Sequence, residues 1–520
     1  MNNNNTQRIV FSANPTPAIG KGVTGRPYAA IRRGRVGIMA LSMSLLAALP
    51  TWSTAATTYT LTLNASPQGA ITGAASGSSY PAGTQLTLKA SPYGSYGVKT
   101  WTGDAAACGG SDTCTLTMDD KKTVGLEFKS APVGFGAGVT GGAGGDVVTV
   151  TTPDELKRAL CDNVVDGVCK DTTPRVIQLK SVIDFSSLEG TRTDLGCTYS
   201  NNSCAVNGKM ERILSVANYC DGKPTYNITY DAAGKTPLLI GSNKTLIGVG
   251  KDAGIKGKGV IMRGGVSNII VRNLSITDIN ESVIWAGDAI SIDNASRIWI
   301  DHNYISRIGR QMIVTGWGTA ANVTISNNFL DGTTEAGHYC DNRHYWMMLL
   351  VAENQSITLI GNRIYNSAGR SPEIGKQSSA ANGGIVHLVN NLFDSNYYMG
   401  IRGHDDAIAF VEGNYFVPGN RYFLPIFLYG DTPDKNKMFA TLDANIGAQQ
   451  STCRSVLGRD CVSNFATANI DKFIVNPDVM SDIKVSESVK TALGSVTPVG
   501  YSQVKSMVEN NVGPQSNLDR

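Results

Sequence analysis

Val271-Arg-Asn273-Leu, Asp301-His-Asn303-Tyr, Ser326-Asn-Asn328-Phe, Gly361-Asn362-Arg, Val389-Asn-Asn391-Leu and Glu412-Gly-Asn414-Tyr recur along the chain, with Asn-to-Asn steps of 30, 25, 34, 29 and 23 residues. A β-rich segment precedes each: Asn268–Val271, Arg297–Ile300, Asn322–Ile325, Ser356–Ile360, Ile385–Val389 and Ala407–Val411. One coil of a parallel β-helix has about this length, and self-similarity on that scale marks a solenoid. A repeated Asn fits a tight corner, where its amide can bond to the Asn of the coil above and below. Stacked aliphatics and aromatics then fill the interior. The unequal steps imply coils with loops of different length, and long loops on rigid scaffolds build binding faces. An immunoglobulin-like sandwich would need closer turn signals and no Asn register. The expected fold class is all-β, a right-handed single-stranded parallel β-helix with a small N-terminal antiparallel β domain.

Upstream of the repeats the composition changes twice. Residues 1–56 hold six Lys and Arg and no acid, and an apolar run from Val36 to Leu49 follows Arg35. This is the layout of an export signal, and the run is too short to span a bilayer. Without it the chain has 39 basic (45 less those six) against 42 acidic residues, which gives no support to a nucleic-acid surface. A secreted protein with no membrane association after signal removal is expected. Residues 57–130 alternate apolar and polar residues at Thr58–Leu63, Gln85–Ala90, Gly97–Trp101, Thr113–Thr117 and Thr123–Phe128, between Gly, Pro, Ser and Asp turns. That is the pattern of short antiparallel strands. The stretch from Trp101 to Asp119 resembles the divergent bacterial surface repeats found beside secreted enzymes. Trp101 and the tyrosines there either contact carbohydrate or pack a small core, and the second is favoured. A glycine-rich stretch, Gly134 to Gly145, leads into the main domain, taken as 131–520.

Ten cysteines accompany this layout. Cys108/Cys114, Cys161/Cys169 and Cys453/Cys461 sit in short, turn-like loops. No CxxC occurs and no His stands at ligand spacing from a Cys pair, so disulfides are expected rather than a metal.

Three short motifs carry candidate chemistry: Trp285-Ala-Gly-Asp288-Ala-Ile290, Arg307-Ile-Gly-Arg310 and Ser367-Ala-Gly-Arg370-Ser-Pro372. A solenoid can stack them on one face, where two arginines would favour Asp288 as a carboxylate. Taken singly, an Asp or Arg on a coil rim is ordinary solvated surface.

The stretch from Lys235 to Ser463 resembles the pectin lyases, within the polysaccharide lyase family that also contains the pectate lyases. The likeness rests on Ser242-Asn-Lys-Thr-Leu-Ile-Gly-Val-Gly250, Gly287-Asp-Ala-Ile290, Ile300-Asp-His302, Arg307-Ile-Gly-Arg-Gln311, Val323-Thr-Ile-Ser-Asn327, His344-Tyr-Trp346 and Gly369-Arg370-x-Pro372. It implies that Arg370 is the base, Asp288 the active-site aspartate and Arg310 the arginine kept nearby. It implies β-elimination on pectin: the C5 proton of a galacturonosyl unit leaves, the C4–O4 bond breaks and a 4,5-unsaturated product forms. Trp285 and Trp346 fall where the family lines its cleft with tryptophan. The same likeness implies Cys197–Cys220, Cys204–Cys340 and Cys453–Cys461 pairs, leaving Cys108–Cys114 and Cys161–Cys169 by elimination.

Pectate lyases bind Ca²⁺, which takes about six to eight oxygen ligands. They have an Asp two residues before the matching aspartate, where this chain has Ala286, and Arg310 replaces a would-be acid. The resemblance therefore implies no metal, no cofactor, and neutral methyl-esterified pectin as the partner of a monomer. Two departures stand out. Glu373 occupies a position that is basic in fungal pectin lyases, and the simplest members lack the 57–130 domain. A calcium-dependent pectate lyase, a polygalacturonase and a non-catalytic pectin-binding β-helix are the rival readings. The polygalacturonase would need clustered aspartates, and Asp405-Asp406 is the only adjacent pair nearby.

Overall fold

Alternating apolar residues in the repeats form strands because one face of each must be buried, and here the strands stack in parallel rather than zip back. A computed structural model describes residues 56–199, 209–376, 382–403, 408–419, 423–428, 437–469 and 473–518. Three parallel sheets of ten, nine and eight strands run the length of a β-helix. One coil visits all three: Ala295–Asp301 lies in the ten-stranded sheet, Tyr304–Ile308 in the nine-stranded and Ile313–Thr315 in the eight-stranded. The next coil starts again at Ala320–Ser326, in register beside Ala295–Asp301. The expected parallel β-helix is what the chain forms, and two of the expected strands, Ser356–Ile360 and Ile385–Val389, have the expected limits.

Register turns sequence periodicity into a core. Ile269, Ile298, Val323, Ile357 and Val386 pair in succession across the ten-stranded sheet, as do Val271, Ile300, Ile325, Leu359 and Leu388. All ten are fully buried. Each such side chain contributes about 1.5–3 kcal/mol by leaving water, so the apolar interior holds the coils together. Near the C-terminal end the filling is aromatic, with Phe393 and Phe416 stacked at 4.2 Å.

The asparagines form a ladder, but not from the member the sequence nominates first. Asn303 donates to Asn328 Oδ1 at 3.0 Å, and Asn328 to Asn362, Asn362 to Asn391 and Asn391 to Asn414, each at 2.9 Å. Asn414 extends the series to Asn464 at 2.9 Å, which the sequence motif does not reveal. Asn273 is one residue out of register, because Arg272 pairs with Asp301. Its corner place falls to Leu274, and Asn273 instead takes a left-handed φ of 58° and bonds to the carbonyls of Gly248 and Gln515.

The glycine-rich stretch is a strap across the outside of the ten-stranded sheet. Phe135, Gly136 and Gly142 donate their N–H groups to the hydroxyls of Thr358, Thr324 and Thr245 in turn. A Cβ on Gly136 would stand 2.6 Å from the Thr324 hydroxyl, so backbone can lie this close only without a side chain. The helix Pro153–Leu160, held by a capping box at Thr152 and Glu155, packs on the first coils. Four helices between Ile446 and Asn511 cover the other end and flank.

The first described strands make two small sheets, one ordered Ser79–Pro81, Thr58–Leu63, Lys122–Ser130 and Tyr96–Gly103. Their pairings are antiparallel except Thr58–Leu63 beside Lys122–Ser130, which is parallel. Trp101 is 1% exposed in their core and donates Nε1–H to the Ser111 carbonyl at 2.7 Å. That settles its two sequence readings in favour of packing. Disulfides join Cys108–Cys114, Cys161–Cys169, Cys197–Cys220 and Cys453–Cys461. The expected Cys204–Cys340 pair falls on Cys204, which lies outside the described residues, as do residues 1–55 of the expected signal and Asp405-Asp406. No described helix is long and apolar enough to cross a membrane.

Candidate active site

The eight-stranded sheet gathers the three motifs. Its strands are Leu238–Leu239, Val260–Arg263, Ile290–Asp293, Ile313–Thr315, Met348–Leu350, Glu373–Ile374, Met399–Gly403 and Leu424–Leu428, adjacent in that order. Asp288 enters the third strand, Arg310 the fourth, Trp346 the fifth and Arg370 the sixth. Glycine precedes Asp288, Arg310 and Arg370: a Cβ on Gly287, Gly309 or Gly369 would meet a neighbour at 2.4, 2.7 or 2.3 Å. Backbone pairing then sets the stack, with Arg310 N–H on the Gly287 carbonyl at 3.0 Å and Met348 N–H on the Arg370 carbonyl at 2.8 Å.

Asp288 and Arg310 are a pair. Arg310 Nη1 lies 3.3 Å from Asp288 Oδ2, and the Gln311 N–H donates to Oδ1 at 2.7 Å. Burial pushes the Asp288 carboxyl above the usual carboxylate range, against the pull of Arg310, the Gln311 N–H and Arg370. Burial likewise lowers the Arg310 guanidinium, opposed by Asp288 and reinforced by the charge of Arg370. The other side of Arg310 lies on Trp285, its central carbon 3.7 Å from the indole centroid. Trp285 is half-buried, as its place beside Gly287-Asp288 implies, but a guanidinium already covers one face. His344 fixes the backbone here, donating Nε2–H to the Arg310 carbonyl at 2.7 Å, and burial lowers its imidazole so that it stays neutral.

Arg370 rests over Trp346, 4.5 Å from guanidinium carbon to ring centroid. Trp346, expected to line the cleft, is only 6% exposed. Its Nε1–H donates to the Glu211 carboxylate at 3.0 and 3.1 Å, so it serves as a fixed floor beneath Arg370 rather than an open platform. Glu211 also meets His338 Nδ1 at 3.0 Å, and His338 stacks on Tyr345 at 4.2 Å. Glu373 is paired with Arg370 Nε at 2.8 Å and with Arg402 Nη1 at 3.0 Å. Glu211, His338 and Arg402 carry no sequence signal, whereas His344 and Tyr345 lie inside the His344-Tyr-Trp346 motif.

The donor set does not fit calcium. Both oxygens of Asp288 face hydrogen-bond donors, Ala286 is fully buried, and Glu373, a further carboxylate on the same sheet, is held by two arginines. Among the described residues no group of three or more His, Cys, Asp and Glu could hold a metal ion.

The pectate lyase family model matches residues 197–517, and the model for the divergent InlB B-repeat domain matches 59–132. The probable pectin lyase F-2 of Aspergillus terreus is 35% identical over 383 residues, covering 74% of this chain and 73% of that protein. The probable pectin lyase B of Aspergillus fumigatus is 34% identical over 376 residues, covering 72% of this chain and 93% of that protein. A solved pectate lyase of Bacillus sp. N165 in complex with trigalacturonate is 21% identical, with a TM-score of 0.45, covering 74% of this chain and 98% of that one. The chain belongs to the pectate lyase family and is a polysaccharide lyase of the pectin and pectate type.

Proposed function

We propose that this chain is a secreted, endo-acting pectin lyase that cleaves methyl-esterified polygalacturonan without calcium. The observation that carries the reading is the Asp288–Arg310 pair, in which a guanidinium and a backbone N–H occupy the carboxylate oxygens a calcium ion would need.

In this reading Arg370 takes the C5 proton, electrons move into the C4–C5 bond, and O4 leaves with the cleaved chain. The methyl ester stabilises the developing enolate better than a carboxylate does, and cationic Arg310 lies where that charge builds. Asp288 holds Arg310 in place, and Trp346 supports Arg370. Endo action is consistent with a site at the third to sixth of eight strands, which leaves sheet on both sides for bound polymer. Residues 1–56 are read as the export signal, 57–130 as an accessory β domain and 131–520 as the catalytic domain of an extracellular monomer. The disulfides fit an oxidising compartment.

The deciding assay follows formation of ultraviolet-absorbing unsaturated uronate on highly methylated pectin and on polygalacturonate, with and without a chelator. Chelator-insensitive turnover on the methylated polymer is expected. Turnover only on polygalacturonate, restored by Ca²⁺, overturns the reading in favour of a pectate lyase.

A further inference from the structure

One carboxylate in the site has no part in the proposed proton transfer. Glu373 lies on the sixth strand of the eight-stranded sheet, in register with Arg402 on the seventh. Register partners in a parallel sheet stand about 4.8 Å apart, so these two side chains meet without distortion. Arg402 Nη1 reaches Glu373 Oε2 at 3.0 Å, and the same oxygen lies 2.8 Å from Arg370 Nε. Arg402 Nη1 also donates to the Tyr345 hydroxyl at 2.6 Å, and the Arg370 guanidinium carbon lies 5.8 Å from the centre of that ring. Glu373 is 5% exposed, against 17% for Arg370 and 13% for Arg402.

A single buried oxygen thus binds two arginines from different coils. Burying a carboxylate is costly unless it is paired, and here pairing fixes both cations. The closest approach to Arg370 is to Nε, a charge contact at 2.8 Å that lacks hydrogen-bond geometry. It holds the root of the guanidinium beside Glu373, with the central carbon 4.5 Å from the Trp346 ring centroid. We propose that Glu373 is a positioning residue that aims Arg370, with Arg402 and Tyr345 as its brace. The proposal rests on the reading of Arg370 as the residue acting on substrate.

The test compares wild type with Glu373→Gln, Arg402→Ala, Arg402→Lys and the Glu373→Gln/Arg402→Ala double variant on methylated pectin. Glu373→Gln is expected to lower kcat about 10- to 100-fold with KM within about threefold, because aim is lost and substrate contact is not. Arg402→Ala should lower kcat less, Arg402→Lys should recover most of that loss, and the double variant should be no worse than Glu373→Gln alone. Should Glu373→Gln fail to fold, the Arg402→Ala and Arg402→Lys pair carries the test. Unchanged kcat, a loss confined to KM, or losses that multiply in the double variant overturn the proposal. If wild type acts only on polygalacturonate with calcium, the pectin reading fails, and the same kcat-against-KM comparison on that substrate still decides the role of Glu373.

Discussion

Arg310 lies over Trp285, 3.7 Å from guanidinium carbon to ring centroid, while its Nη1 reaches Asp288 at 3.3 Å. The indole supplies a cation–π surface in a poorly hydrated corner, where such contacts are worth up to about 2 kcal/mol. The carboxylate supplies the opposite charge from a second element. Arg310 is therefore held in one place before any substrate arrives, and preorganised charge of this kind is what stabilises a developing anion.

Arg370 carries the chemistry in the proposed mechanism, so its removal should abolish turnover and spare affinity. Arg370→Ala is expected to lower kcat by about 10³-fold or more, a scale typical of losing a proton-transfer group together with its electrostatic support. Binding of methylated pectin should persist. The check is unsaturated-uronate formation alongside an equilibrium binding measurement, and near-normal turnover would remove Arg370 from the mechanism.

Asp288 should set the acid limit of activity in the proposed mechanism. Burial raises its carboxyl above the ordinary value, so it gains a proton at a higher pH than a free aspartate and then releases Arg310. Activity should fall as pH drops through a midpoint above about 4, the ordinary aspartate pKa being about 3.9. A kcat/KM profile measured on methylated pectin tests this. A midpoint at or below that value contradicts the assignment.

Acid stability should depend on Glu412, buried at the end of the strand Ile408–Glu412 in the ten-stranded sheet. Burial alone would raise this carboxyl, but Arg459, 2.5 Å away, and His387, 2.9 Å away, hold it at about 2, below the ordinary 4.5. A depressed folded pKa stabilises above the unfolded value and is lost as pH falls through the folded one. The contribution, on the order of 3 kcal/mol, should be present above about pH 4.5 and vanish towards pH 2. Denaturant midpoints across that window should slope for wild type and flatten for Glu412→Gln.

The Asn ladder should be sensitive in the middle. Asn362 Oδ1 accepts from both the N–H and the Nδ2 of Asn328, and its own amide donates to Asn391 and to the Ile325 carbonyl. Asn362→Ala strands several buried polar groups, each costing about 1–3 kcal/mol, so a loss of about 3 kcal/mol or more is expected from equilibrium unfolding. Asn273→Ala, outside the ladder, should cost less.

Much of the solenoid was legible because its signal is local. A strand followed by an Asn corner repeats every coil, so Ser356–Ile360 and Ile385–Val389 could be bounded from sequence alone. The coils before residue 260 were not, because Arg175–Leu179 and Lys244–Gly248 join the same ten-stranded sheet without an Asn corner after them. Asn273 shows the opposite failure: it matches the motif by eye, yet one residue of register puts it outside the ladder. The glycine-rich strap looked like a linker because its partners, Thr245, Thr324 and Thr358, are far away in sequence.

By itself the sequence determined the β-helix, the three glycine-led motifs with Asp288, Arg310 and Arg370, and the family likeness, since each is written in contiguous residues. Only the tertiary structure decided how those charges are used. Glu211 reaches Trp346 from another coil, turning an expected cleft tryptophan into a buried floor, and Glu373 joins Arg370 to Arg402 across two strands. Such contacts depend on which coil stacks on which and on loop lengths between them. Side-chain reach across a sheet is fixed by register, and register is a property of the assembled solenoid, not of any one segment.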